Sequence, residues 1–369
     1  MAKIALYLAG GGARGAYQAG ALKAIHHILQ VKTLPFSMIS GVSIGSINAA
    51  IIAQHADDFL SGVEKLDELW SNIHCQQIFN TSNYQLGKSV VRNLSNLVVK
   101  QSQSGRLLDT TPLHAFINDN IDFEKIKLNI ANQQIDTMEV ITNCYETQQT
   151  ISFYQHHHAH FEDWYYPRHR SLRADLAKEH ILASSALPLF FPTINIDGFH
   201  YGDGGMGLVA PLRGAIRFNV DKILILGTRQ LPIFPEIETL RNSDIGFAHI
   251  LGNMLNGLFL DNLDRDIEFV NRMNDIAQLL SLWKKRRSPW RPIETLHLRP
   301  SLNLAEKAQS QYQTMPGLLR ILLNALGAQS HSGDLLSFLL FEKEFTQELI
   351  DLGYSDTMRS APLVTAFFS

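Results

Sequence analysis

Phe36-Ser37-Met38-Ile39-Ser40-Gly41-Val42-Ser43-Ile44-Gly45-Ser46-Ile47-Asn48-Ala49-Ala50-Ile51-Ile52-Ala53 holds, in unbroken succession, a short apolar run, a GxSxG pentapeptide and a stretch of small and apolar residues. The pattern predicts a strand that ends at Ser40, a turn too tight for side chains at Gly41 and Gly45, and a helix that starts beneath Ser43. Such a turn pushes Ser43 out of the backbone at the carboxyl end of a strand. The positive end of the following helix then lies under its hydroxyl, where a nucleophile is best stabilised as it becomes alkoxide-like. A glycine-bounded turn would satisfy the pentapeptide by itself; the flanking strand and helix are what favour the nucleophile.

Upstream, Ile4-Ala5-Leu6-Tyr7-Leu8-Ala9 is continuously apolar, the mark of a strand buried on both faces of a parallel sheet. It runs into Gly10-Gly11-Gly12-Ala13-Arg14-Gly15, after which Ala16, Ala19, Gly20, Leu22, Ile25 and Leu29 recur at helical spacing. A glycine loop between strand and helix presents free backbone N–H groups to an anion. Gly10, Gly12 and Gly15 also satisfy GxGxxG, but that dinucleotide fingerprint needs an acidic residue about twenty positions further on to hold the ribose. No Asp or Glu lies between Val31 and Ser43. The same N–H groups can instead form an oxyanion hole facing Ser43, since consecutive parallel strands set their carboxyl ends side by side.

With 369 residues, 45% hydrophobic and 18% charged, the chain has the composition of a soluble globular protein, large enough for one α/β domain with an appended helical part. A net charge of −3 lacks the basic footprint of a nucleic-acid binder. The one basic cluster, Lys284-Lys285-Arg286-Arg287 between Trp283 and Trp290, reads as a solvated loop; the alternative is peripheral contact with an anionic membrane. Two cysteines, Cys75 and Cys144, make no disulfide framework and fit a reducing compartment. No run approaches the roughly eighteen apolar residues of a membrane span, and the N-terminus lacks a signal peptide's apolar region. The expected location is cytoplasmic; an effector exported without a cleaved signal would read the same. Nothing in the sequence speaks to oligomeric state.

Downstream, Thr81 to Ser104 reads as a polar surface excursion, Thr110-Thr111-Pro112 as a helix cap followed by proline, and Met138 to Tyr145 as a strand. His156-His157-His158-Ala159-His160 invites a metal reading, but no carboxylate motif completes it and an exposed polar loop is expected. Ala183 to Pro192 is too apolar for a surface loop. Ile194-Asn195-Ile196 and Phe199-His200-Tyr201 flank Asp197-Gly198, a hairpin signal. The returning strand enters Gly202-Asp203-Gly204-Gly205, where flanking glycines allow the close approach that a buried functional carboxylate needs. Pro211 to Phe218 reads as a helix and Lys222 to Gly227 as another buried strand. The remainder is mostly helical (246–260, 263–282, 318–326 and 335–352), interrupted by strand-like Glu294 to Leu298. Leu251, Met254, Leu255, Leu258 and Phe259 line one helix face, as core or as an acyl-binding wall.

These motifs resemble the patatin-like phospholipase family. Gly10 to Gly15 is similar to its GGGxRG oxyanion-hole loop, Gly41-Val42-Ser43-Ile44-Gly45 to its nucleophile elbow and Asp203-Gly204-Gly205 to its DGG/A motif, in the family's order. Ala183 to Pro192 is similar to its ASxAxPxxFP segment, and Leu335 to Gly353 resembles the closing helix of bacterial members. Ala9 departs, standing where plant relatives carry an aspartate. The resemblance implies a patatin-like three-layer α/β fold with a mostly parallel central sheet and a C-terminal helical part. Residues 1–230 would form the catalytic domain and 231–369 the helical extension packed on it. It further implies a serine lipid acyl hydrolase acting on phospholipids, lysophospholipids or related acyl lipids without metal or cofactor. In that reading Ser43 is the nucleophile and Asp203 its base, Gly11 and Gly12 with Gly10 supply the oxyanion hole, and Arg14 either orders the loop or meets a phosphate. Acyl transfer or thioester cleavage on the same pair, and a non-catalytic lipid-binding module, are the alternatives.

Overall fold

The computed structural model describes residues 2–80, 108–158, 161–231, 247–259, 261–279, 291–312, 315, 317–325 and 333–369. The Thr81 to Ser104 excursion and the Trp283 to Trp290 basic cluster lie outside them.

Two strand–turn–helix units open the chain. β1 (Ile4–Leu8) leads through a 3-10 turn (Gly12–Gly15) into α1 (Ala16–Leu29), and β2 (Met38–Val42) leads into α2 (Ile44–Ala53). After α3 (Phe59–Ser71) come β3 (Thr137–Cys144), β4 (Gln149–His156), β5 (Tyr165–Tyr166), β6 (His169–Arg173), β7 (Ile194–Ile196), β8 (Phe199–Asp203), β9 (Lys222–Leu226) and β10 (Glu294–Leu298). In the sheet β10, β9, β1, β2 and β3 lie side by side and parallel; β4 and β8 both pair antiparallel with β3. The chain turns from β1 toward β2 on one side and returns to β9 on the other. The carboxyl ends of these strands therefore border the crevice where such sheets bind ligands.

β1 and β2 are buried along their whole length; β1 is an unbroken apolar run, and in β2 the Ser40 hydroxyl is satisfied by Glu139. One face of the sheet carries the larger core, built with α1, α2 and α3, and the other a smaller one around Tyr7, Met38, Tyr154 and Leu212. The C-terminal helix Lys343–Arg359 packs on α1 at mutual glycines: a Cβ on Gly20 would lie 1.9 Å from the Ile350 carbonyl, and one on Gly353 2.1 Å from that of Tyr17. Leu251 and Leu255 belong to the larger core, whereas Met254 is exposed.

Three local expectations change. The run from Leu335 to Leu352 is two helices, Gly333–Leu339 and Lys343–Arg359. Glu342 turns extended between them, bridges to His74 and accepts the Cys75 N–H through its carboxylate. The helix starting at Thr111 has Thr110 at its N-cap and Pro112 in its first turn, but the Thr110 hydroxyl makes no capping bond; Asp109 Oδ1 instead accepts from both the N–H and the hydroxyl of Thr111. His156 is no exposed loop residue. It ends β4, buried, with Nδ1 donating to the Asp136 carbonyl at 2.7 Å. Among the described residues no group of His, Cys, Asp and Glu could hold a metal ion. None of their helices is long and apolar enough to cross a membrane.

Candidate active site

Ser43 stands between β2 and α2 at φ 55, ψ −130, a conformation L-residues rarely hold without support. The turn closes because Gly41 and Gly45 lack side chains: a Cβ on Gly41 would sit 2.4 Å from the Gly45 carbonyl, and one on Gly45 2.1 Å from that of Leu8. β8 runs antiparallel to β3, with Asp203 opposite Thr142, and β3 adjoins β2, so the sheet carries the end of β8 to the elbow. Ser43 Oγ there donates to Asp203 Oδ2 at 2.5 Å, and the Gly205 N–H donates to Oδ1 at 2.9 Å.

Asp203 has no exposed surface. Burial pushes its pKa up to about 7, against the opposing pull of the Ser43 and Gly205 hydrogen bonds. A carboxylate with that affinity for a proton is a far better base near neutral pH than an exposed aspartate.

The glycine loop is oriented through its carbonyls. Gln18 Nε2 donates to the Ala9 oxygen, Thr228 Oγ1 donates to that of Gly10 at 2.5 Å, and the Arg14 N–H donates to that of Gly11. In a planar trans peptide the N–H points opposite the C=O, so fixing the Gly10 and Gly11 carbonyls fixes the N–H directions of Gly11 and Gly12. Gly11 and Gly12 border one cavity with Ser43. Gly10 does not line it. A Cβ there would come within 3.1 Å of Ser43 Cβ, so glycine at this position serves close approach to the elbow.

Arg14 is buried and turned away from that cavity's lining. Nε donates to Ser337 Oγ, Nη1 to Asn256 Oδ1 and Nη2 to Asp334 Oδ1, while the guanidinium lies over the Phe338 ring. Through these contacts Arg14 ties the loop to the helix Gly333–Leu339. Gly12 meets the same helix, for a Cβ there would lie 2.1 Å from the Phe338 carbonyl.

The cavity in front of Ser43 is almost wholly apolar, walled by Ile44, Ile47, Ile78, Leu187, Phe191 and Phe341. Leu187 and Phe191 come from the apolar stretch after Ala183. Phe341 comes from the break between the two C-terminal helices and is stacked on Trp70. Thr228 and Gln18 escaped the sequence reading. A hydroxyl just past the end of β9 and a buried amide in α1 carry no pattern; the pairing of β9 with β1 brings Thr228 to the loop, and the Gln18 amide turns back to the carbonyls of Ala9 and Leu226.

The patatin-like phospholipase family profile matches residues 6–216. A search of curated proteins finds no match to this chain. Among solved structures the chain is similar to VipD from Legionella pneumophila, with 12% identity over 95% of this chain and 67% of that one, at a TM-score of 0.36. It is also similar to a chain of the complex of full-length SpcU with full-length ExoU from the type III secretion system of Pseudomonas aeruginosa, with 15% identity over 97% and 77% and a TM-score of 0.29. At those levels of superposition neither structure speaks to substrate or partner here. The family profile spans more than half of the chain, from β1 through both glycine turns and past Asp203, and the chain belongs to the patatin-like phospholipase family.

Proposed function

We propose that this protein is a serine lipid acyl hydrolase that cleaves carboxylic esters of phospholipids, lysophospholipids or related acyl lipids through Ser43 and Asp203. The observation that carries the reading is the 2.5 Å contact between Ser43 Oγ and a fully buried Asp203, opening onto an apolar cavity bordered by Gly11 and Gly12. Ser43 Oγ attacks the ester carbonyl carbon and passes its proton to Asp203 Oδ2. The oxyanion that forms is held by the N–H groups of Gly11 and Gly12, which donate no backbone hydrogen bond outside regular helix or strand among the described residues. As the tetrahedral intermediate collapses, the alcohol leaves with the proton from Asp203. Water then attacks the acyl-enzyme, gives a proton to Asp203, and Ser43 departs by taking that proton back. The acyl chain, having no polar group to satisfy, occupies the apolar cavity.

Hydrolysis of a panel of phospholipids, lysophospholipids and p-nitrophenyl esters, with fluorophosphonate labelling, tests this. The expected result is a covalent adduct on Ser43 and loss of both labelling and hydrolysis in Ser43→Ala with the fold retained. Turnover by purified Ser43→Ala overturns it.

A further inference from the structure

The tripeptide Ser184-Ser185-Ala186 touches the backbone of both reacting residues. Ser184 Oγ accepts the Ser43 N–H at 2.9 Å and donates its own proton to the Ile141 carbonyl at 2.6 Å. The Ser185 hydroxyl donates to the Ser43 carbonyl at 3.3 Å, and the Ala186 carbonyl accepts the Asp203 N–H at 3.1 Å. The two ends of Ser43 are not equally secured. Its carbonyl also accepts from the Ser46 N–H and hydroxyl, so it keeps partners if Ser185 is lost. Its N–H has Ser184 Oγ, and the pair is fully enclosed, Ser184 having no exposed surface. The Ile141 carbonyl that takes the Ser184 proton also lies against Gly204, where a Cβ would approach it to 2.0 Å.

We infer that Ser184 is a positioning residue for the reaction: its hydroxyl joins the Ser43 N–H to the β3 backbone beside Asp203 and so holds nucleophile and base in register. The inference rests on reading Ser43 as the nucleophile. The bridge needs one atom that accepts from one side and donates to the other, which a hydroxyl does and a methyl cannot. It also turns the Ser43 N–H away from the substrate oxygen, leaving oxyanion stabilisation to the glycine loop. Without the hydroxyl, a strained elbow with a buried unpaired N–H relaxes, and Oγ drifts from the line between Asp203 and the ester carbon.

The test compares Ser184→Ala, Ser184→Cys and a control, Thr346→Val, which deletes another buried hydroxyl that bonds a backbone carbonyl, that of Trp70, at 2.7 Å. In Ser184→Ala, kcat and the rate of fluorophosphonate labelling should fall together, by about ten- to a hundredfold as expected for a misplaced reacting atom. KM should stay within about twofold, because the acyl cavity is untouched. The acid limb of the pH profile should not move, because the burial of Asp203 is unchanged. Ser184→Cys, which keeps a weak donor and acceptor, should fall between; if Ser184→Ala does not fold, Ser184→Cys is read alone, and an intermediate kcat supports the bridge. Thr346→Val should lose stability and keep kcat. A folded Ser184→Ala or Ser184→Cys with wild-type kcat, or an equal kcat loss in Thr346→Val, overturns the inference. Persistent turnover in Ser43→Ala would instead bring down the nucleophile reading itself, a result none of the Ser184 variants can mimic.

Discussion

The glycine loop and the nucleophile elbow follow adjacent parallel strands and end in helices of the same core, yet they use glycine differently. In the elbow the glycines sit on either side of the unusual residue, and Ser43 itself carries the positive φ. In the loop Gly11 and Gly12 take φ of 153 and 58 themselves. The supports differ as well. The elbow is closed by its own helix, by neighbouring strands and by the hydroxyls of Ser184 and Ser185. The loop is held by Thr228, Asn256, Asp334, Ser337 and Phe338, all from beyond β8. In the proposed mechanism the nucleophile is held by contacts from residues up to Asp203, whereas the glycine loop is oriented mainly by residues from Thr228 onward. The two halves of the chemistry are therefore open to different perturbations.

The elbow side breaks most completely. Asp203→Asn keeps the shape and the Gly205 contact but cannot take the Ser43 proton, so kcat should drop by about 10³-fold or more. In the wild type, activity should rise with pH through a limb centred near 7, since Asp203 acts only when deprotonated. Stability runs the other way. The folded-state pKa lies above the ordinary 3.8, so the protonated form favours folding; that contribution is complete below about pH 4 and is lost as pH rises through about 7. Thermal melts should accordingly show Asp203→Asn more stable than wild type at pH 8 and similar at pH 4. An acid limb near 4, or greater stability of the variant at both pH values, would contradict burial as the source of the basicity.

On the loop side the largest effect belongs to Gly12→Ala. The new Cβ would meet the Phe338 carbonyl at 2.1 Å, and at φ 58 an L-residue is strained besides. Either the loop or the helix Gly333–Leu339 must move. Losing one oxyanion donor typically costs about 10²-fold in kcat, and that is the drop expected, with a lowered melting temperature. If only KM rises, the loop binds substrate and stabilises no oxyanion.

How much of this could be read beforehand follows from the same contrast. The first two strand–turn–helix units were legible because buried parallel strands, glycine turns and helical periodicity each leave a local pattern; the predicted α1 matches Ala16–Leu29. Asp203 could be singled out because its glycines exceed what a turn needs. Thr228 and Asp334 were silent, for a lone hydroxyl or carboxylate gains meaning only when the fold brings it to the loop; Ser184 stood inside the quoted Ala183 to Pro192 segment, but its bond to the Ser43 N–H was not legible there. His156 was misread because a strand ending in consecutive histidines looks polar although its edge is covered. The helix break at Leu340 to Glu342 is a tertiary override: the periodicity continues, but bonding to His74 and Cys75 pulls Glu342 out.

Arg14 gives a finer cut through the loop side. Arg14→Lys keeps the charge but cannot reach Ser337, Asn256 and Asp334 together. Losing two charge-assisted bonds should destabilise the protein by about 3 kcal/mol, read by denaturant melts, with a smaller kcat loss than Gly12→Ala. A variant of full stability would show that the loop does not depend on the C-terminal helices.

The mildest change separates orientation from packing. Thr228 Oγ1 donates to the Gly10 carbonyl at 2.5 Å, and its side chain lies where a Cβ on Gly11 would fall, at 2.6 Å from Oγ1. Thr228→Val keeps the shape and removes only the donor. The Gly10–Gly11 peptide can then rotate, and because its N–H is opposed to its C=O, the Gly11 donor swings away from the cavity. One neutral hydrogen bond is worth about 1 kcal/mol, so kcat should fall by about fivefold with little change in KM. Thr228→Ser, which keeps the hydroxyl and drops the methyl, should retain nearly full kcat. If Ser and Val behave alike, packing against Gly11 is what Thr228 supplies, and the Gly11 N–H is aimed by the loop's own turn; if only Val loses activity, a hydroxyl at the end of β9 aims the donor that faces Ser43.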